Sequence, residues 1–317
     1  MLSFNSWVRA KKSRYVTVQL VGGLGNQLFG YFAGKYLAEK LDCELRFDIS
    51  QHDKGFTAHG SSIRSFELPE SFESVQPPFN LAYRLTRRAL GIIGLDPIRF
   101  EVKLGKVFKN YTANVDGYDP NLERITAPIF VRGYFQTFVY ARRVLEALGS
   151  TSLRLTNPSG WYLDRENALL GKRTLAVHVR RGDYAKLSDE FGMLAPAYYL
   201  EGIATLEGTF GSFDEIWVYS DEVERVEAEF SAGFRDLGVL AKTVWVTPPN
   251  GTDAAESLSL MSKASANIIS NSTFSWWAAT LNSSQQIVAP SKWFKGKADP
   301  QGLIPPEWLS IASRWVS

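Results

Sequence analysis

The stretch AVHVRRGDY (176–184) ends an apolar run in a histidine, two arginines and an aspartate. A guanidinium is planar and permanently charged, and it suits phosphate oxygens. Side chains alternate along a strand, so His178 and Arg180 share one face. Arg181 takes the other unless the chain turns at Gly182. Asp183 can fork onto one guanidinium and hold it ready for an anion. A second stretch, VGGLGNQ (21–27), offers glycines that permit a tight turn and close backbone approach, ahead of a helix whose first amides favour anions. Gly23 and Gly25 match two positions of the dinucleotide fingerprint, and Asp48 ends the next strand where a ribose-binding acid would stand; Leu28 occupies the third glycine position. The third stretch, IISNSTFSWWAATL (268–281), runs from an apolar strand through Asn271, Ser272 and Thr273 into another helix start, with Phe274 in its first turn. Asp221, in VYSDE, ends a further strand and can accept from a guanine N–H or a ribose hydroxyl.

Each stretch has a plain structural alternative: a β–α turn, an Arg–Asp pair beside a core histidine, and ordinary helix capping. Their coincidence at strand ends points instead to a diphosphate held by Arg180 and helix N-termini. Charge that grows on a leaving diphosphate would be stabilised by these preplaced groups. The chain contains no Asp-x-Asp pair that would hold a divalent ion against the phosphates, so no metal and no cofactor is expected.

The elements that must position these residues are legible. YVTVQLV (15–21), a helix NQLFGYFAGKYLAEKL and CELRFDI (43–49) give β-loop-α-β. Gly30, Gly34 and Ala38, spaced by four, leave one side of that helix smooth enough to approach another backbone. Residues 50–128 hold six prolines and one helix-like stretch, LAYRLTRRALGII, and are the expected place for acceptor recognition. PIFVRGYF and FVYARRVLEAL add a strand and a helix. Beyond residue 160 the strands TLAVHV, EIWVYS, KTVWV, ANIIS and QIVA alternate with helices, which implies a parallel sheet covered on both faces. Ligands of such sheets sit beyond the carboxyl ends of the strands. The expected division is 1–155, an N-terminal acceptor-side α/β domain, and 156–317, a C-terminal donor-binding α/β domain whose last segment crosses back.

The chain has 317 residues, 45% hydrophobic, with a formal net charge of +2; this supports two domains and no nucleic-acid partner. A lone Cys43 and three scattered histidines exclude an internal disulfide and a cysteine-based zinc site. The N-terminus carries no long apolar segment, so neither signal peptide nor membrane anchor is expected. Its basic VRAKKSR is read either as a solvated tail or as a peripheral contact with an anionic membrane.

The blocks GGLGNQLFGYFAGKYLA, IRSFELPESF, GYFQTFVY, VHVRRGDY, SNSTFSWWAATL and IVAPSKWF, in this order over residues 20–294, resemble the α-1,2-fucosyltransferases of glycosyltransferase family 11. The resemblance implies two Rossmann-like domains facing a cleft (the glycosyltransferase B fold), GDP-fucose as donor, inversion at the sugar carbon without a metal, and fucosylation of the 2-hydroxyl of a terminal galactoside. It implies Arg180 at the β-phosphate and Asn26 near phosphate and fucose. It places His178 and Asp221 near the guanine, and Ser272 and Thr273 at the diphosphate. Arg181 and Asp183 would order the donor loop. Ala264 and Ala266 stand where members carry Cys and His. Ser257 stands where an acid is usual, a place that Glu256 would cover. The absence of an anchor implies a bacterial, cytoplasmic enzyme at the inner face of the membrane, working on surface-glycan precursors.

The general base stays open among Asp48, His52, Asp53, His59 and Glu67, in or near the loop after the second strand, and a late proton transfer assisted by the leaving phosphate is the other route. Three rivals also stay open: another fucosyl linkage, a nicotinamide oxidoreductase using Gly23 and Gly25, and a glycan-binding protein without catalysis.

Overall fold

The computed structural model describes residues 15–50, 62–74, 81–93, 109–127, 129–148, 153–284 and 286–316. It contains two parallel sheets. The first joins β1 (Tyr15–Gln19), β2 (Glu44–Asp48), β3 (Ser71–Glu73), β4 (Asn110–Thr112) and β5 (Phe130–Arg132) in the order β3-β2-β1-β5-β4. Its helices are α1 (Leu24–Lys40), α2 (Leu81–Ile92) and α3 (Phe138–Leu148). The second sheet joins β6 (Thr174–Val179), β7 (Glu215–Ser220), β8 (Thr243–Val246), β9 (Ala266–Ile268), β10 (Ile287–Pro290) and β11 (Leu309–Ile311) in the order β11-β10-β9-β6-β7-β8. Between these strands lie α5 (Pro196–Phe210), α6 (Val223–Asp236), α7 (Ala254–Ser262) and α8 (Thr273–Thr280), with α4 (Gly160–Leu169) ahead of β6.

The second sheet is the doubly wound arrangement read 6-5-4-1-2-3, with its switch point between β6 and β9. Parallel strands covered on both faces read as continuous apolar runs, and all six residues of β6 are buried. Alternation along β6 sorts its side chains. Leu175, Val177 and Val179 meet Tyr198, Ile203, Phe230 and Phe234 of α5 and α6. Ala176 belongs to the opposite layer, with Leu258 and Met261 of α7 and Trp276 and Trp277 of α8.

That opposite layer is continuous with the core of the first sheet. Phe32 stacks on Trp277 with ring centroids 4.5 Å apart, and Phe29 lies 4.5 Å from Trp276. Such aromatic pairs add about 0.5–1.5 kcal/mol each beyond their buried area, so α1 and α8 weld the two halves together. The smooth side of α1 does not meet a foreign backbone: Gly30 lies on Leu20 and Gly34 on Val18, Leu45 and Phe47, side chains of its own sheet. Glycine spacing is blind to what covers it, and here it lets α1 sit low on β1 and β2. Residues 301–303 leave the second half and meet the first: Gln301 accepts from the Tyr118 amide, and Gly302 from the Phe138 amide and the Thr137 hydroxyl. The chain then returns to pair β11 with β10.

Two parallel Rossmann-like sheets therefore face each other across a cleft, the glycosyltransferase B arrangement. Among the described residues no helix is long and apolar enough to cross a membrane.

Candidate functional site

A cavity of about 400 Å³ opens between the halves, lined by Gly23, Leu24, Gly25 and Asn26 of the first and by His178, Arg180, Asp183, Tyr184, Asp221, Ser257, Ser272, Thr273 and Phe274 of the second. Drug-sized and cofactor-sized ligands occupy cavities of roughly 300–1,000 Å³. The cavity sits at the carboxyl ends of β1, β6 and β7 and at the switch point between β6 and β9.

Arg180 is its central cation. Its Nε and Nη2 donate to the same Asp183 oxygen at 3.0 and 2.6 Å, and its Nη1 lies 3.0 Å from Asp221 Oδ2. Asp221 is anchored in turn, because its Oδ1 accepts from the Arg181 amide at 2.9 Å. Gly182 leaves room for this: a Cβ there would collide with Asp221 Oδ2. Asp221 thus steadies the guanidinium before it offers anything to a base or ribose. Tyr184 lies under Arg180, 5.6 Å from ring centroid to guanidinium carbon, and donates to the Asn271 carbonyl at 2.9 Å.

Arg181, which the resemblance assigns to ordering the donor loop, does not line the cavity. It follows Val179 onto the far face of β6, where it is fully buried. There its Nε pairs with Glu229 of α6 at 2.9 Å, its Nη1 donates to the carbonyls of Arg180 and Leu194, and its guanidinium lies over Phe230. Strand alternation wins because the turn at Gly182 comes one residue too late to redirect it.

His178 bridges the switch point: its Nδ1 is 2.8 Å from Ser270 Oγ, and its ring lies 5.4 Å from that of Phe274. Burial, reinforced by the charge on Arg180, lowers its pKa to about 3. The imidazole is therefore neutral at any working pH and acts as a hydrogen-bonding group, not a cation. The unfolded chain titrates this histidine near the ordinary value of 6.5, so below that pH the unfolded state binds more protons. Stability is then lost as pH falls from about 6.5 towards 3, by about 1.4 kcal/mol per pH unit. Denaturant titrations between pH 7 and pH 4 should show this slope, and His178→Gln should remove it; equal slopes in both proteins would show that His178 carries no such linkage.

The two helix starts differ. Ser272 is the N-cap of α8 and accepts from the Phe274 amide, so its hydroxyl oxygen is occupied while its hydrogen stays available. Gly23 caps α1 without a side-chain bond. The helix starts earlier than its sequence pattern implies, so Gly25 and Asn26 lie in its first turn. A Cβ on Gly25 would strike the carbonyl of Thr273 and come within 2.6 Å of the Phe274 nitrogen. The glycine is needed where the two helix starts touch, which brings both sets of N-terminal amides to one cavity wall.

Asn26 lines the cavity, its Oδ1 accepts from Gln136 Nε2 at 3.0 Å, and its Nδ2 packs against Gly22. Gln136 is within reach of sequence reasoning, since it stands in the block GYFQTFVY, but only the neighbouring strands β1 and β5 bring it to Asn26. Phe135 beside it has φ +52° and is fully buried, a strained conformation that fixes the loop. Tyr184 is equally visible, directly after Asp183.

Glu256 does not cover for an acid at Ser257. It is buried and accepts from the Ser159 amide and hydroxyl at 2.8 and 2.7 Å, so it ties α7 to the start of α4, while Ser257 lines the cavity together with Ala254 and the α7 N-cap Asp253. Of the base candidates, Asp48 is fully buried and occupied by Gln19 and Ser50. Glu67 is exposed and away from the cavity lining. His52, Asp53 and His59 lie outside the described residues, as does VRAKKSR. Leu28, at the third fingerprint position, is fully buried in the core.

A model described as glycosyl transferase family 11 matches residues 165–312. The O-antigen biosynthesis glycosyltransferase WbnK of Escherichia coli is 30% identical over 329 aligned positions, covering 92% of this chain and 99% of that protein. The chain belongs to glycosyl transferase family 11. This family 11 chain is also 24% identical to an alpha-1,2-colitosyltransferase of Escherichia coli, covering 93% and 98% of the two proteins. Among solved structures it resembles the fucosyltransferase NodZ from Bradyrhizobium, with a TM-score of 0.47 and 14% identity over 84% of this chain and 93% of that one. The family match contains Arg180, Asp221 and Thr273, whereas Gly23, Gly25 and Asn26 lie ahead of it.

Proposed function

We propose that this family 11 glycosyltransferase moves L-fucose from GDP-fucose to the 2-hydroxyl of a terminal galactoside in a surface-glycan precursor, with inversion and without a metal ion. One observation carries the reading: Arg180, steadied by Asp183 and Asp221, faces a cavity walled by the first turns of α1 and α8. One fixed cation and two helix N-termini converge where a diphosphate would gather charge as its bond to the sugar breaks. The names of the relatives support the rest. One acts in O-antigen biosynthesis, and the other forms an alpha-1,2 linkage. Because the second transfers colitose, a colitosyl donor is the competing reading.

The deciding experiment supplies GDP-fucose with a panel of galactosides and maps the product linkage by NMR. Transfer to the 2-hydroxyl supports the proposal; attachment elsewhere, or turnover only with a colitosyl donor, rejects it. Rates should be unchanged in excess EDTA, because the diphosphate's charge is met by a guanidinium and backbone amides. A requirement for added Mn²⁺ or Mg²⁺ would overturn the metal-free mechanism.

A further inference from the structure

We propose that α2 and the residue after it form a docking face for an anionic lipid surface. The helix reads LAYRLTRRALGI and contains no acidic residue. At about 100° per residue, Leu81, Ala82, Leu85, Ala89, Ile92 and Ile93 fall within one arc of about 120°, and Arg84, Arg87 and Arg88 occupy a separate arc of about 100° beside it. Ile93 continues the helical bonding through its amide to Ala89. In a globular protein such an apolar stripe is turned to the core. Here its described side chains face outward: Leu85 is 54% exposed, Ile92 77% and Ile93 66%, and Ala89 is exposed too. Arg88 is exposed as well.

Charge complementarity selects the occupant. An apolar stripe flanked by cations lies in the headgroup boundary of an anionic bilayer, with the stripe inserted and the arginines at the phosphates. A second copy of this chain would bring the same arginines against each other. The face belongs to the first half and stands apart from the residues lining the cavity, so it is independent of which sugar is transferred.

The test uses the full chain in co-sedimentation with vesicles of phosphatidylglycerol mixed with phosphatidylcholine, and with pure phosphatidylcholine. Binding should be confined to the anionic vesicles and should fall at high salt. The triple variant Arg84→Gln, Arg87→Gln, Arg88→Gln should weaken it by about 100-fold, the equivalent of three arginine contacts. The variant Ile92→Ser, Ile93→Ser should also lose binding, with the thermal melt and turnover on a small galactoside unchanged. A variant neutralising Arg9, Lys11, Lys12 and Arg14 should keep binding, which separates the helix from the N-terminal tail. The proposal fails if the wild-type chain ignores anionic vesicles, if only the tail variant loses binding, or if the wild-type chain self-associates through Ile92 and Ile93.

Discussion

Arg180→Ala is expected to lower turnover by about 100–1,000-fold, the cost of removing one preorganised charge donor from a transition state. The structure makes the loss more than that of a single cation. Arg180 neutralises Asp183 and Asp221, which stand 2.6 and 3.0 Å from its nitrogens. Without the guanidinium, both carboxylates face the cavity unpaired and repel an incoming diphosphate, so donor KM should rise together with the fall in kcat. Arg180→Lys should recover little. A single ammonium cannot hold Asp183 and Asp221 at once and still present a planar edge to phosphate oxygens. Initial rates at saturating donor, with a thermal melt to confirm folding, are the measurement. A kcat within tenfold of the wild-type value would remove Arg180 from the proposed mechanism.

Much of this geometry is legible in the amino-acid sequence because it follows from local rules. Strand alternation in TLAVHVRR places His178 and Arg180 together and Arg181 opposite, and the strand–helix rhythm after residue 160 implies the second sheet. What stays hidden depends on pairs far apart in sequence. Nothing local to GGLGNQ reveals that Gly25 exists to clear the Thr273 backbone. Glu256 looks like a spare acid for the cavity until Ser159 is seen to claim both its oxygens. Asp48 resembles a ribose-binding acid by position alone; Gln19 and Ser50 turn it into a buried strut. Composition and spacing identify chemistry-bearing residues, but only tertiary contacts decide whether a polar atom is free for a ligand or already spent on the fold.

Gly25→Ala should be nearly as damaging as loss of Arg180, although it removes no charge and no hydrogen bond. The added methyl would overlap the carbonyl of Thr273 and approach the Phe274 nitrogen at 2.6 Å. Those are backbone atoms in the first turn of α8, held by the Ser272 cap and by the bond from Tyr184 to Asn271. Neither side can yield cheaply, so relief must come from the two halves moving apart at α1 and α8. Overpacking of this kind costs about 1–3 kcal/mol, which the Phe29, Phe32, Trp276 and Trp277 cluster can absorb without unfolding the chain. Catalysis should suffer more. Asn26 rides on α1 and Arg180 on β6, so a shift of about 1 Å between the halves displaces one wall of the cavity from the other, and misplacement on that scale costs about 100-fold in rate. The expected signature is a folded protein with a modestly lower melting temperature, weakened GDP binding and turnover reduced by about two orders of magnitude. A Gly25→Ala enzyme with wild-type turnover would mean that the contact between the two helix starts does not set the geometry of the site.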